Sequence, residues 1–196
     1  MMGKIFGYIK ILHYYLFGQT IGRLTYPKAM FKSRHFSTIF SPGWGWVKTN
    51  FFTQKIMGKN KHVPWVCSSS NLITYPDRIK FDMEDLNNFM TTGCYFQSNG
   101  TIEIGKGTYI APNVGLITQN HDINNLDERA ESFPIKIGKK CWIGMNVVIL
   151  PGVTLGDNTV VGAGSVVTKS FKEGNVVIAG NPAQILRIIN SSIEKK

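Results

Sequence analysis

From Ile104 onward an aliphatic residue returns at every sixth position. The series runs Ile104, Ile110, Leu116, breaks off, and resumes as Ile137, Ile143, Ile149, Leu155, Val161 and Val167. A small residue often follows directly: Gly105, Ala111, Gly138, Gly144, Gly156, Gly162. Four places after the aliphatic comes a compact or β-branched residue: Thr108, Val114, Cys141, Val147, Val153, Thr159, Ser165. Upstream the register weakens but persists in Ile73 and Ile79, and in Phe96 and Ile102. A period of six is neither the roughly 3.6 of a helix nor the roughly 2 of an ordinary strand. It predicts a parallel β-helix, in which short strands meet at corners and coils stack. On this reading the aliphatic residue points inward, the small residue lets the backbone turn, and the compact residue fills the corner. A stack of coils leaves a strand edge at each end that must be covered. The candidates are residues 1–62 at one end and the segment after Val177 at the other.

The break is itself informative. Leu116 and Ile137 stand much further apart than one repeat, so residues 118–134 must leave the coil as a loop. The segment is polar and holds His121, the one histidine beyond residue 62. A long loop in a compact repeat is usually functional or disordered.

Composition bounds the rest. A chain of 196 residues suits one domain, or one with an appendage, and 43% hydrophobic content excludes a disordered chain. The formal net charge is +10, and it is unevenly placed. Residues 1–62 hold ten Lys and Arg and no acidic residue, the first carboxylate being Asp77, while residues 63–196 balance. The same segment holds 13 of the 23 aromatic residues. Such asymmetry suggests that one end touches something anionic. The charge-free run Ile11–Gly22 is well short of the roughly 20 residues that span a bilayer, and its His13, Gln19 and aromatics make a poor signal core. A cytoplasmic location is the expectation, with peripheral contact on the inner membrane face as its extension. Cys67, Cys94 and Cys141 are widely spaced and read as reduced and structural.

The run Ile137-Gly-Lys-Lys-Cys-Trp-Ile-Gly-Met-Asn-Val-Val-Ile-Leu-Pro-Gly-Val-Thr-Leu-Gly-Asp-Asn-Thr-Val-Val-Gly-Ala-Gly-Ser-Val-Val-Thr-Lys169 resembles the hexapeptide-repeat acyltransferases. Within them it is most similar to the maltose, galactoside and xenobiotic O-acetyltransferase branch. The tail Ala179-Gly-Asn-Pro-Ala183, followed by Ile185-Leu-Arg187, resembles that family's ending. Asn120-His121, followed by Phe133-Pro134-Ile135, resembles its catalytic loop. The resemblance covers roughly residues 71–190. It implies an all-β fold, a left-handed parallel β-helix with a protruding catalytic loop 118–134. It also implies a short C-terminal helix in the tail 178–196, and a homotrimer with active sites between subunits. Residues 63–196 would then be the acyltransferase domain, and acetyl-CoA the co-substrate. The activity implied is O-acetylation of a sugar hydroxyl, the acceptor being a capsule, O-antigen or other envelope glycan. A free sugar, an antibiotic or the amine of an amino sugar stands as the alternative acceptor, and a non-catalytic scaffold as the alternative class.

In the resemblance His121 takes the catalytic position. Transfer from a thioester to a hydroxyl needs a base, and an imidazole ordinarily titrates near working pH. The backbone amide of Met145, beside Gly144, would be the oxyanion donor. Trp142 would lie beside the pantetheine arm. Gly144, Ala163, Gly164 and Thr168 would follow the groove, and Lys169 and Arg187 would meet phosphates. Some relatives carry a second basic residue where this chain has Gln184. Asn99, Asn120 and Asp122 are the acceptor-side candidates, and Asp122 or Glu131 would orient the imidazole. Each of these also has a plain reading: a solvated charge for Lys169, Arg187, Asp122 and Glu131, a packed corner ring for Trp142. Cys141 falls at an inward position, so direct attack without a cysteine nucleophile is expected. No metal is expected, since a zinc site needs three ligands and only His121 lies in the repeats.

Residues 1–62 read as a mixed, partly helical segment, with Ile5, Ile9, Leu12 and Leu16 along one helical face. It either caps the β-helix or joins the trimer interface, or it contacts a membrane surface through its cations and aromatics. It holds no recognised nucleic-acid motif, so nucleic acid is not expected as a partner.

Overall fold

A computed structural model describes residues 2–189, and the chain divides between Ser69 and Ser70 into two units. The first unit is built on aromatic packing. Helix α1 (Met2–Phe17) runs into a π-helical turn (Gly18–Gly22) and the single turn α2 (Arg23–Thr25). Helix α3 (Pro42–Phe51) opens with a proline, whose missing amide costs nothing in a first turn. Trp44 of α3 is the hub: Tyr15 and Phe36 meet it edge-on at 5.0 and 4.9 Å, and Phe31 stacks at 5.9 Å. Gly18 lets α1 approach this ring, because a Cβ there would sit 2.4 Å from it. With no carboxylate in the segment, several cations rest on ring faces, Lys48 on Phe17 at 4.3 Å and Lys55 on Tyr26 at 4.6 Å.

The boundary falls at 69/70 rather than at 62/63 because Gln54 fastens the later residues to this unit. Its buried amide donates to the carbonyls of Val63 and Trp65, and its oxygen accepts from the Tyr26 hydroxyl and the Cys67 amide.

The second unit is the β-helix. One sheet stacks β1 (Leu72–Ile73), β3 (Tyr95–Gln97), β6 (Gly115–Ile117), β9 (Val148–Ile149) and β12 (Val166–Val167). A second stacks β2 (Ile79–Lys80), β4 (Ile102–Ile104), β7 (Ile135–Ile137) and β10 (Thr154–Leu155). The third holds β5 (Tyr109–Ile110), β8 (Trp142–Ile143), β11 (Val160–Val161), β13 (Val176–Gly180) and β14 (Ala183–Ile188). All pairings are parallel except β13 with β14. Every aliphatic of the series from Ile104 to Val167 is buried, as are Thr108, Val114, Cys141, Val147, Val153, Thr159 and Ser165, each four places on. The break does not shift the register, for Ile104 pairs with Ile137 across it.

Two roles differ from the sequence reading. The small residue after the aliphatic does not make the turn; it lets coils touch. A Cβ on Gly105 would lie 2.5 Å from the backbone of Gly138, and one on Gly138 2.6 Å from that of Asp157. The turn lies two residues later, at Gly107, Asn113, Lys140, Asn146, Gly152, Asn158 and Gly164, all with positive φ. Asparagine and glycine tolerate that conformation, and lysine does not. Lys140, at φ +54°, is the strained member. Lys140→Gly is expected to stabilise the unit by about 1 kcal/mol, a Tm rise of about 2–4 °C in thermal unfolding. An unchanged Tm would mean that the side chain offsets the strain.

The open edges are managed locally. A 3₁₀ segment, Met83–Phe89, takes the place of a strand beyond β5. Buried Asp85 accepts from the Gly107 amide (2.7 Å), and Asn88 accepts from Ile110 N–H (2.9 Å) and donates to Thr108 C=O (2.8 Å). These side chains replace the missing ladder partner. At the other end the expected C-terminal helix is corrected. The turn at Asn181–Pro182 reverses the chain, and residues 183–188 pair antiparallel with β13 and cover its edge. Residues 190–196, the rest of that expected helix, lie outside the described residues.

Candidate active site

Between β6 and β7 the chain forms neither helix nor strand, apart from an antiparallel bridge between His121 and Arg129. The base of this loop is closed by Phe133 N–H donating to Thr118 C=O at 2.8 Å. Opposed residues of an antiparallel bridge project to one side, so His121 and Arg129 share a face. The His121 Nδ1 lies 2.8 Å from the carbonyl oxygen of Leu126. A carbonyl only accepts, so this bond requires hydrogen on Nδ1 and leaves the lone pair of a neutral ring on Nε2. A backbone carbonyl thus takes the orienting role that the sequence reading gives to Asp122 or Glu131.

His121 lines a cavity of about 490 Å³ together with Asn99, Asn120, Thr74, Tyr75, Tyr95, Gln97, Gln119 and Arg129. That volume is in the range of small-molecule sites. The walls are amides, hydroxyls and two phenol rings, and the amides hold one another. Asn99 Nδ2 donates to Gln119 Oε1 at 2.6 Å, Gln119 N–H to Gln97 Oε1 at 2.9 Å, and Gln119 Nε2 to Ala130 C=O at 2.8 Å. Asp122 does not line the cavity; its Oδ1 accepts from Asn124 N–H at 2.7 Å and shapes the loop. Tyr95 and Gln97 escape the sequence reading, although Phe96 pointing inward implies that both neighbours point out. Arg129 has no such signal, because the loop has no period.

The thioester-side candidates lie apart from this cavity. Gly144, Met145, Ala163 and Gly164 sit on stacked turns, with Gly164 N–H donating to Met145 C=O at 2.8 Å. A Cβ on Gly144 would fall 2.7 Å from Ala163 N, so glycine is required there. Trp142 and Met145 are exposed. Lys169 donates to Gln184 Oε1 at 3.0 Å, which brings it to β14, the strand that also carries exposed Arg187. Thr168 is exposed beside Lys169.

The cysteines are all free and buried. Burial pushes the Cys67 thiol up to about 12 and raises Cys94 and Cys141 too, so none is poised as a thiolate. Among the described residues no group of His, Cys, Asp and Glu could hold a metal.

The pattern of the bacterial transferase hexapeptide family (six repeats) matches residues 134–169. Galactoside O-acetyltransferase of Escherichia coli K12 is 52% identical over 93 residues, which are 46% of this chain and 45% of that protein. Among solved structures, a galactoside acetyltransferase in complex with coenzyme A is 39% identical with a TM-score of 0.55, covering 64% of this chain and 62% of that one. A maltose O-acetyltransferase from Clostridium difficile 630 is 37% identical with a TM-score of 0.54, covering 62% and 64%. The chain spans about half the length of the curated relatives it matches. The three stacked sheets, the sixfold register and these likenesses agree: over the matched part the chain is similar to the hexapeptide-repeat transferases, and among them to the galactoside and maltose O-acetyltransferases.

Proposed function

We propose that the protein is an acetyl-CoA-dependent O-acetyltransferase acting on a hydroxyl of a sugar, as part of a bacterial envelope glycan. The observation that carries this reading is the His121 ring, locked through Nδ1 with Nε2 free, on the wall of a polar cavity. Amide side chains that donate and accept suit an array of sugar hydroxyls, and the rings of Tyr75 and Tyr95 offer flat surface to a pyranose. Arg129 adds one fixed positive charge and favours an acceptor that carries a carboxylate or phosphate.

In the reaction Nε2 takes the proton of the acceptor hydroxyl as its oxygen attacks the thioester carbonyl. The Met145 amide, which donates to no backbone carbonyl among the described residues, stabilises the oxyanion. Collapse expels the CoA thiolate, which receives the proton from His121. The groups present fit this co-substrate: an exposed indole at Trp142 for the pantetheine arm, and exposed Lys169 and Arg187 for phosphates. The backbones of Gly144, Ala163 and Gly164, with Thr168, would border the arm between them. The separation of the two residue sets within one chain supports a homotrimer in which the cavity of one copy faces the CoA groove of the next. The family likeness supports the left-handed winding.

The test is thiol release from acetyl-CoA with panels of neutral sugars, acidic sugars and amino sugars, the products being weighed by mass spectrometry. An acetyl ester on a sugar supports the reading. Acetylation only of amines would make the enzyme an N-acetyltransferase, and release with none of them would remove the sugar assignment. Met145→Ser is expected to keep activity within about threefold, because the backbone donor remains. A dead variant would count against the amide.

A further inference from the structure

Helix α1 uses one side for packing. Tyr15 and Phe17 meet Trp44 and Phe51 at 5.0 and 5.3 Å, and Gly18 and Gly22 admit Trp44 and Val47. Ile5, Ile9, Leu12 and Leu16 follow one another at spacings of four, three and four, on the opposite side. They are 52%, 58%, 47% and 53% exposed. The apolar face read from the sequence is therefore turned outward. Phe6 and Tyr8 flank it, and Tyr8 meets exposed Phe40 edge-on at 6.5 Å, which widens the apolar surface beyond the helix. Leaving this many aliphatic and aromatic side chains side by side in water marks a contact site.

The charge says what the contact is. The segment bearing the stripe holds ten Lys and Arg and no Asp or Glu up to Asp77. Lys4 and Lys10 belong to the same helix, lie further round it than the stripe, and are exposed. An exposed apolar ridge with aromatics at its margins, on a helix that carries cations and no acid, matches a helix lying in the interface of an anionic bilayer. A protein partner would ordinarily be met with charges of both signs. No helix among the described residues is long and apolar enough to cross a membrane.

We propose that the outward face of α1 docks this protein in the plane of an anionic lipid surface, with Ile5, Ile9, Leu12 and Leu16 entering the headgroup zone and Lys4 and Lys10 meeting lipid phosphates. This is independent of the acetyl-transfer reading. Deleting residues 1–20 would strip Tyr15 and Phe17 from their partners, so the test uses substitutions on the outward face of the full chain. Vesicles of phosphatidylcholine alone and of phosphatidylcholine with phosphatidylglycerol are floated with wild type, with Ile9→Ser/Leu12→Ser and with Lys4→Ser/Lys10→Ser. Wild type is expected to float with the anionic vesicles, less so at high salt. The aliphatic pair is expected to lower the partition at least about tenfold. The lysine pair is expected to lower it about tenfold or more on anionic vesicles only. Wild type that stays off anionic vesicles overturns the proposal, as does an aliphatic pair that floats like wild type. A lipid-free wild type whose oligomer shrinks in the aliphatic pair, with flotation unchanged, would assign the face to a second copy and also overturn it.

Discussion

His121→Ala is expected to lower acetyl transfer by about 10²–10⁴-fold while the fold and CoA binding stay as they are. The size follows from what the ring does. Without Nε2 the acceptor hydroxyl must lose its proton to water, while the oxyanion donor and the thioester contacts remain. The fold is spared because the ring is exposed and its one hydrogen bond in the structure, to the Leu126 carbonyl, closes a loop rather than a core. The measurement is kcat with saturating acetyl-CoA, alongside CoA affinity by calorimetry and far-UV circular dichroism. Turnover within tenfold of wild type would remove His121 as the base. Lost CoA binding would instead give the residue a role in holding the thioester.

The second large effect belongs to the first unit. Gln54→Leu is expected to destabilise it by about 3 kcal/mol or more. Gln54 is fully buried, and its two polar atoms serve the Tyr26 hydroxyl, the Cys67 amide and the carbonyls of Val63 and Trp65. A leucine fills the space and satisfies none of them. Each buried group left unpaired costs about 1–3 kcal/mol, and water has no route to replace the amide. Burial already pushes the Tyr26 phenol above its usual range, so it gains nothing by ionising instead. Trp44, Trp46 and Trp65 all lie in this unit, so the urea transition followed by tryptophan fluorescence reports it. A midpoint that hardly moves would show that the clasp is replaceable.

The series from Ile104 to Val167 was readable because a side chain that points into a narrow coil has no alternative to being apolar, and the structure buries every one. The histidine loop was readable as a failure of the same period. The turn position was in plain sight as Gly107, Asn113, Asn146, Gly152, Asn158 and Gly164, yet hydropathy carries no information about φ, and Lys140 interrupts the series. The Leu126 carbonyl that orients His121 could not be read at all, since any residue supplies a carbonyl. The stripe on α1 was legible as a stripe, but periodicity does not say toward what a face is turned. The helix expected in the tail came from the resemblance, and over residues 183–188 the chain forms a strand instead, a segment with no strand alternation to announce it.

The register across the break has a consequence for how such a protein can vary. Ile104 pairs with Ile137 as neighbours on adjacent coils, although the whole histidine loop intervenes, and a bond between Thr118 and Phe133 ties off that loop at its root. Changes in loop length or content are absorbed at one corner and never reach the stack. Changes within the stack, by contrast, must come as whole coils, because glycines such as Gly105 and Gly138 leave no room for slippage. The loop around His121 can therefore be rebuilt for a different acceptor without moving the scaffold beneath it.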